Sequence, residues 1–161
     1  MDTETLIKEG PHKYFGIELN QFTWSLLGKA GRTSEEDELM LHAAHGSYFH
    51  WVQDCTNANK QRGEWLLSHV YSVLNIPERA MHYALRCKKI TEENIKEMED
   101  FDIAYADEAM ARAFACEGNT EECRKYFISA KEKGGRISDE EAKKYFEGDL
   151  NSGPWYGFKK V

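Results

Sequence analysis

The sequence predicts an all-α fold: a stack of three antiparallel helical hairpins, followed by a short capping helix and a non-helical tail. Three observations support this prediction. Apolar side chains recur at three- and four-residue intervals through seven segments of the chain. Short turns rich in glycine, proline and asparagine separate these segments, and no segment shows the alternation of a half-buried strand. Two of the hairpins also align with each other without a gap.

The composition limits the classes of protein to be considered. Of the 161 residues, 41% are hydrophobic and 30% are charged, which is typical of a soluble globular chain. The net charge of −7 argues against nucleic acid as a partner. The longest apolar run, at 113–116, is too short for a membrane span. The acidic N-terminus lacks the apolar core of a signal peptide, so we expect a cytoplasmic protein whose four cysteines are reduced.

Local signals place each helix. The first hairpin is expected over residues 14–54; its second helix starts behind Thr33, whose hydroxyl can cap a helix that opens with acidic residues. The second hairpin covers 61–94, and Pro77 opens its second helix, where a missing N–H costs nothing. The third hairpin covers 102–133, and a capping helix follows over 138–150. We treat 1–150 as one helical-repeat domain and 151–161 as an aromatic tail.

The second and third hairpins share a residue pattern. Leu67 aligns with Met110, and the same offset places Ser68 on Ala111 and Ala80 on Cys123. In each copy a small residue follows a large aliphatic one, and an aromatic residue follows three positions later. Two helices can approach closely only where their side chains are small. We therefore expect Ala80 and Ala111 to be buried at helix crossings.

This pattern resembles the tetratricopeptide repeat family over residues 62–133. The matching positions are Leu67, Ser68, Tyr71 and Ala80 in one copy, and Met110, Ala111, Phe114, Gly118, Phe127 and Ala130 in the other. The chain departs from the family in two respects: Ser68 replaces a glycine or alanine, and the spacing exceeds the usual period of about 34 residues. The runs 42–45 and 62–65 are also similar to those of small uncharacterised prokaryotic proteins with this organisation.

The resemblance implies a binding groove, because the first helix of each hairpin lines the concave face in such repeats. Carried over to this chain, the groove-facing residues are Arg62, Trp65, His69, Tyr105, Glu108 and Arg112. The function implied is a non-catalytic protein- or peptide-binding module. Its arginines would hold a carboxylate-bearing peptide and its aromatic rings apolar side chains. The alternative is an internal ion-pair network, for example between Arg112 and either Glu108 or Glu64.

A second hypothesis concerns the second helix. Glu38, His42 and His45 are spaced i, i+4 and i+7, so one helix face carries all three. A carboxylate with two imidazoles could hold Zn²⁺, Fe²⁺ or Ni²⁺ with an open position and support a metal- or small-molecule-dependent activity. No second motif supplies a fourth ligand, and polar packing against the next hairpin is the alternative. We expect no other cofactor, because no phosphate-binding loop or nucleophile motif occurs and an enzyme is not favoured.

The tail carries Trp155, Tyr156 and Phe158 within six residues. Three exposed aromatic rings would forfeit several kcal/mol of burial. We expect them to dock either on this chain or on a second copy, which would make a homodimer. A self-associating structural protein is accordingly a third hypothesis.

Overall fold

The computed structural model describes residues 10–54 and 56–161. Residues 1–9 and Cys55, one of the four cysteines expected to be reduced, lie outside these ranges. The described chain forms seven α-helices and one 3₁₀ turn, and it contains no strand. The all-α prediction is therefore confirmed.

The helices follow one another with short connections. Their bounds are α1 (Pro11–Leu27), α2 (Ser34–Asp54), α3 (Asn57–Val73), α4 (Pro77–Glu93), α5 (Asp100–Glu117), α6 (Thr120–Gly135) and α7 (Glu140–Asn151). The 3₁₀ turn Ile95–Glu97 lies between α4 and α5. No helix in the described part of the chain has the length and apolarity needed to cross a membrane.

Consecutive helices pair as hairpins, and the hairpins stack. α1 packs on α2, α3 on α4 and α5 on α6, while the contacts of α2 with α3 and of α4 with α5 join one pair to the next. α3 also contacts α5, and α5 contacts α7. Trp24 of α1 stacks on Trp65 of α3. The first helices of successive pairs therefore form one continuous layer, which α7 extends.

Local capping sets several helix ends that the periodicity placed only approximately. α3 begins before the expected residue 61 because the Thr56 hydroxyl accepts a hydrogen bond from the Asn59 N–H. α5 begins with a capping box, in which Glu99 and Asp102 exchange side-chain and backbone bonds. It ends at Gly118, whose φ of 85° suits a residue without a Cβ.

The helix crossings follow the repeated residue pattern. Ala80 and Ala111 are both fully buried, which confirms the prediction for these two positions. Ser68 lies where the family has glycine or alanine, and its hydroxyl donates to the Ala80 carbonyl oxygen at 3.0 Å. Serine is small enough for this crossing, and its one polar group is satisfied.

The tail docks on its own chain. Trp155 is buried, and its ring lies 5.1 Å from that of Phe127 and beside that of Phe158. The Tyr156 hydroxyl donates to the Ser72 carbonyl oxygen. Of the two alternatives for the tail, the structure contains the intramolecular one, and dimerisation through the tail stays a prediction.

Truncation after Asn151 tests this docking. Removing Trp155 and Phe158 exposes the apolar surface around Phe127, so we expect a loss of about 3–5 kcal/mol of stability, as for a buried aromatic truncated to alanine. Thermal unfolding measures the loss, and light scattering should give the same monomer mass for both chains. A dimeric full-length chain that becomes monomeric on truncation would show instead that the tail joins two copies.

Gly134 provides a test of the packing between α6 and α7. A Cβ at Gly134 would lie 2.1 Å from Phe146, a ring that is itself buried, so Gly134→Ala should overpack the contact and cost about 1–3 kcal/mol. Gly148 is a matched control, because it is also helical and a Cβ there meets nothing within 4 Å. Gly148→Ala should stabilise the chain by up to about 1 kcal/mol. Equal melting temperatures for the two variants would contradict this packing.

Candidate functional site

A cavity of about 230 Å³ opens on the layer formed by α1, α3, α5 and α7. We call it the aromatic cavity. Its aromatic walls are Trp24, Trp65, Phe101 and Tyr105. Leu66 and a set of polar side chains complete the lining, the polar ones being Asn20, Gln61, Arg62, Asp102 and Asp149.

The structure brings the six groove residues predicted from the sequence into one region, but at two depths. Arg62, Trp65 and Tyr105 line the aromatic cavity. Glu108, Arg112 and His69 are buried and do not line it.

Arg62 is held by an ion pair at the cavity wall. Its guanidinium donates two hydrogen bonds to the Asp102 carboxylate, at 2.8 and 2.9 Å, and lies 5.0 Å from the centre of the Phe101 ring. The Asp102 side chain is 1% exposed, whereas that of Arg62 is 42% exposed. Hydrogen bonding to Asp102 raises the pKa of Arg62, so this arginine is charged and already paired.

Trp65 forms the centre of an aromatic stack. Its ring lies parallel to those of His69 and Trp24, at 5.1 and 5.8 Å, and meets Tyr105 edge-on at 4.8 Å. Its indole N–H donates to Glu108 Oε2 at 2.8 Å. The ring that forms one wall of the cavity is therefore fixed in orientation from three sides.

Arg112 connects the site to the tail. Only 1% of its side chain is exposed, and it forms an ion pair with Glu108. Its remaining N–H groups donate to the carbonyl oxygens of Asp149, Ser152 and Pro154. The guanidinium also lies 4.2 Å from the centre of the Trp155 ring.

The internal alternative for Arg112 is thus confirmed, with Glu108 rather than Glu64 as its partner. A peptide carboxylate cannot reach Arg112 without opening the core and displacing Glu108. The expectation that Arg112 contacts a ligand is corrected accordingly: the residue supports the cavity from below.

Asp149, near the end of α7, contributes a carboxylate to the lining of the cavity. The Tyr105 hydroxyl donates to Asp149 Oδ2 at 2.6 Å, and burial together with this contact raises the pKa of Tyr105. Burial also raises the pKa of Asp149, although its hydrogen bond and the nearby Arg112 oppose that effect. In residues 10–54 and 56–161, no lysine or arginine nitrogen forms an ion pair with Asp149.

Seven of the ten lining residues were absent from the sequence-based set, among them Trp24, Phe101 and Asp149. Trp24 lies on the first helix of the first hairpin, whereas the repeated pattern aligns only the second and third hairpins and therefore predicts no groove position there. Phe101 precedes the region where the aligned pattern is strongest. Asp149 comes from the capping helix, and no sequence spacing connects it to Tyr105, 44 residues earlier.

The structure contradicts the hypothesis of a metal site on α2. The Nε2 atom of His42 lies 3.8 Å from Oε1 of Glu38, and both side chains are exposed. The Nε2 atom of His45 instead forms a hydrogen bond with the Tyr71 hydroxyl at 2.9 Å, and its ring meets Tyr83 edge-on. Across the described residues, no group of three His, Cys, Asp or Glu side chains is placed to hold a metal ion. The histidines that do meet are His12 and His50, whose Nδ1 atoms are 3.0 Å apart.

The cysteines that the structure describes are free thiols. Cys87 and Cys123 are buried, and Cys116 is half-buried. Burial raises the pKa of each, in the case of Cys123 to about 11. A raised pKa disfavours the thiolate, which is the nucleophilic form of cysteine.

Comparison with known proteins adds no relative to this description, since no family model, no curated protein and no solved structure matches the chain.

The Arg112–Glu108 pair allows a stability test. Arg112→Ala leaves the buried Glu108 carboxylate without its cation, so we expect a loss of about 3–5 kcal/mol. Arg124→Ala, which removes an exposed arginine from α6, should change stability by less than about 0.5 kcal/mol. The double variant Glu108→Gln/Arg112→Met should lose less than the sum of its single substitutions, because neither charge is then left alone. Additive losses in urea unfolding would contradict a coupled pair.

His69 predicts a pH dependence of stability. It is buried, and desolvation, assisted by Arg112, lowers its pKa well below 6.5. Below pH 6.5 the unfolded chain therefore binds a proton that the folded chain does not, and stability falls by up to about 1.4 kcal/mol per pH unit. His69→Phe keeps a ring beside Trp65 and should remove this part of the slope between pH 6.5 and 5. The same slope in both proteins would show that His69 is protonated in the fold.

Proposed function

We propose that this chain is a non-catalytic peptide- or protein-binding module of the helical-repeat type, resembling tetratricopeptide repeat proteins. The proposal includes a cytoplasmic location, which rests on the sequence features described above. The aromatic cavity would be the anchoring site for one side chain of the partner. The partner itself is a protein or peptide rather than nucleic acid, in keeping with the net charge of −7.

One observation carries the proposal: the cavity lies on the layer of first helices. All of its lining residues except Asp149 come from α1, α3 and α5. Stacked hairpin proteins use the surface of this layer to bind extended partners. Binding pockets are concave and mostly apolar, with a few polar groups that fix orientation. The aromatic cavity has this composition.

The walls are also held in place before any ligand arrives. Trp65 is fixed by Glu108, Arg62 by Asp102 and Tyr105 by Asp149. A partner that inserts a side chain therefore immobilises little of the protein, which lowers the entropic cost of binding. Preorganised aromatic residues of this kind are frequent among the side chains that dominate binding free energies.

A peptide array screened with the purified chain tests the proposal. We expect a defined subset of peptides to bind, and Trp24→Ala to weaken their binding at least fivefold, since truncating a central aromatic residue typically costs more than about 1 kcal/mol. Phe22→Ala is the matched control, because Phe22 is an exposed aromatic residue of the same helix that does not line the cavity. Equal weakening by the two substitutions, or peptides that bind both variants like the parent chain, would contradict a site at this cavity.

A further inference from the structure

The charged groups around the aromatic cavity do not cancel. Of the described residues that line it, Arg62 alone is basic, and it is already bound to Asp102. In the core next to the cavity, Arg112 forms an ion pair with Glu108. These two pairs are neutral as units, and the carboxylate of Asp149 remains without a cationic partner in the described chain. The site therefore has one net negative charge.

Asp149 is placed where a cation could use it. Its carboxylate is half-buried at the rim of the cavity, and one oxygen accepts the Tyr105 hydroxyl at 2.6 Å. Arg112 lies near this carboxylate but is ion-paired with Glu108, so Asp149 has lost part of its hydration without gaining an ion pair of its own. A positive ligand group beside it would restore that stabilisation, whereas a negative one would be repelled.

The rest of the wall suits the same ligand. Trp24, Trp65, Phe101 and Tyr105 line the cavity, and the faces of aromatic rings attract cations electrostatically. The chain itself supplies an example at this place, since the Arg62 guanidinium lies 5.0 Å from the centre of the Phe101 ring. Aromatic faces around one carboxylate are the usual composition of an alkylammonium pocket.

We propose that the aromatic cavity binds an alkylammonium group, with Asp149 as its counter-ion and the indole of Trp24 as its most accessible wall. A lysine side chain of a peptide and a free amine present the same chemistry. The peptide form of the inference rests on the proposed function, whereas the free-amine form does not. The inference replaces the carboxylate-bearing partner expected from the two arginines, because each arginine is already paired with a carboxylate of this chain.

The first experiment compares three small probes on the full chain: choline, its neutral isostere 3,3-dimethyl-1-butanol, and butyrate. Binding is followed by ¹H–¹⁵N NMR of the tryptophan indoles, with the Trp24 signal assigned from Trp24→Phe. We expect choline to shift the Trp24 and Trp65 signals and to bind at least fivefold more tightly than the isostere. Equal binding of choline and the isostere, or tighter binding of butyrate, would overturn the inference.

The second experiment removes the counter-ion. Asp149→Asn keeps the shape of the side chain and an acceptor for Tyr105, and it should weaken choline binding at least fivefold. Glu147→Gln removes one negative charge from an exposed residue of the same helix that does not line the cavity, and it should change the affinity by less than twofold. An unchanged affinity in Asp149→Asn, or an equal loss in both variants, contradicts a direct contact. The comparison of probes on the unsubstituted chain stands even if Asp149→Asn fails to fold.

The source of the ammonium group is decided by a third comparison. A pentapeptide with a central lysine is titrated beside n-butylamine; tighter binding of the peptide assigns the site to a protein partner, and equal binding assigns it to a free amine. If carboxylate-ended peptides bind at Trp24 and choline does not, the proposed function stands and this inference is wrong. If choline binds and no peptide does, the inference stands and the proposed function is wrong. Failure of all probes to bind overturns the inference.

Discussion

The fold depends on two buried carboxylates that occupy equivalent positions in successive hairpins. Glu64 of α3 accepts hydrogen bonds from Tyr48 of α2 and Arg86 of α4, at 2.6 and 2.7 Å. Asp107 of α5 binds Lys88 of α4 at 2.7 Å, and Ser129 and Lys133 of α6. An isolated charge in a protein interior is strongly unfavourable, so each carboxylate requires both flanking helices to be in place. The two contacts thereby set the register of α2 through α6.

The residues next to these carboxylates build the site. Trp65 follows Glu64, Glu108 follows Asp107, and the indole N–H of the first bonds directly to the carboxylate of the second. Arg112 continues the connection from Glu108 to the carbonyl oxygens at the end of α7 and in the tail. The side of α3 and α5 that carries Glu64 and Asp107 thus contacts α2, α4 and α6. The other side of these two helices carries the aromatic cavity. The tail takes part in the site indirectly, because it supplies acceptors that hold Arg112 under it.

The same contacts explain why the ligand chemistry that we propose from the structure differs from the one expected from the sequence. Two arginines on one helix layer suggest a site for carboxylates, and that is a reasonable inference while their partners are unknown. The structure pairs Arg62 with Asp102 and Arg112 with Glu108. Among the described residues, the cavity carboxylate left without an ion pair is Asp149, in an acidic protein whose cavity walls are aromatic. The potential of a cleft depends on the groups that are left without partners, not on the number of charged residues near it.

The sequence by itself determined the helices, their order and the close contacts between paired helices. These features depend on neighbours a few residues apart: apolar spacing selects the buried face, caps and glycines end the helices, and small residues such as Ala80 and Ala111 mark the crossings. The resemblance to tetratricopeptide repeats also pointed to three residues of the cavity, Arg62, Trp65 and Tyr105, because it implies that the first helix of each hairpin lines a groove. Only the tertiary structure decided the partners of the charged groups. The pairs Arg62–Asp102 and Tyr105–Asp149 join residues 40 and 44 positions apart. Such a pair forms only when the packing of whole helices brings two side chains within hydrogen-bond distance, and no local periodicity encodes that distance.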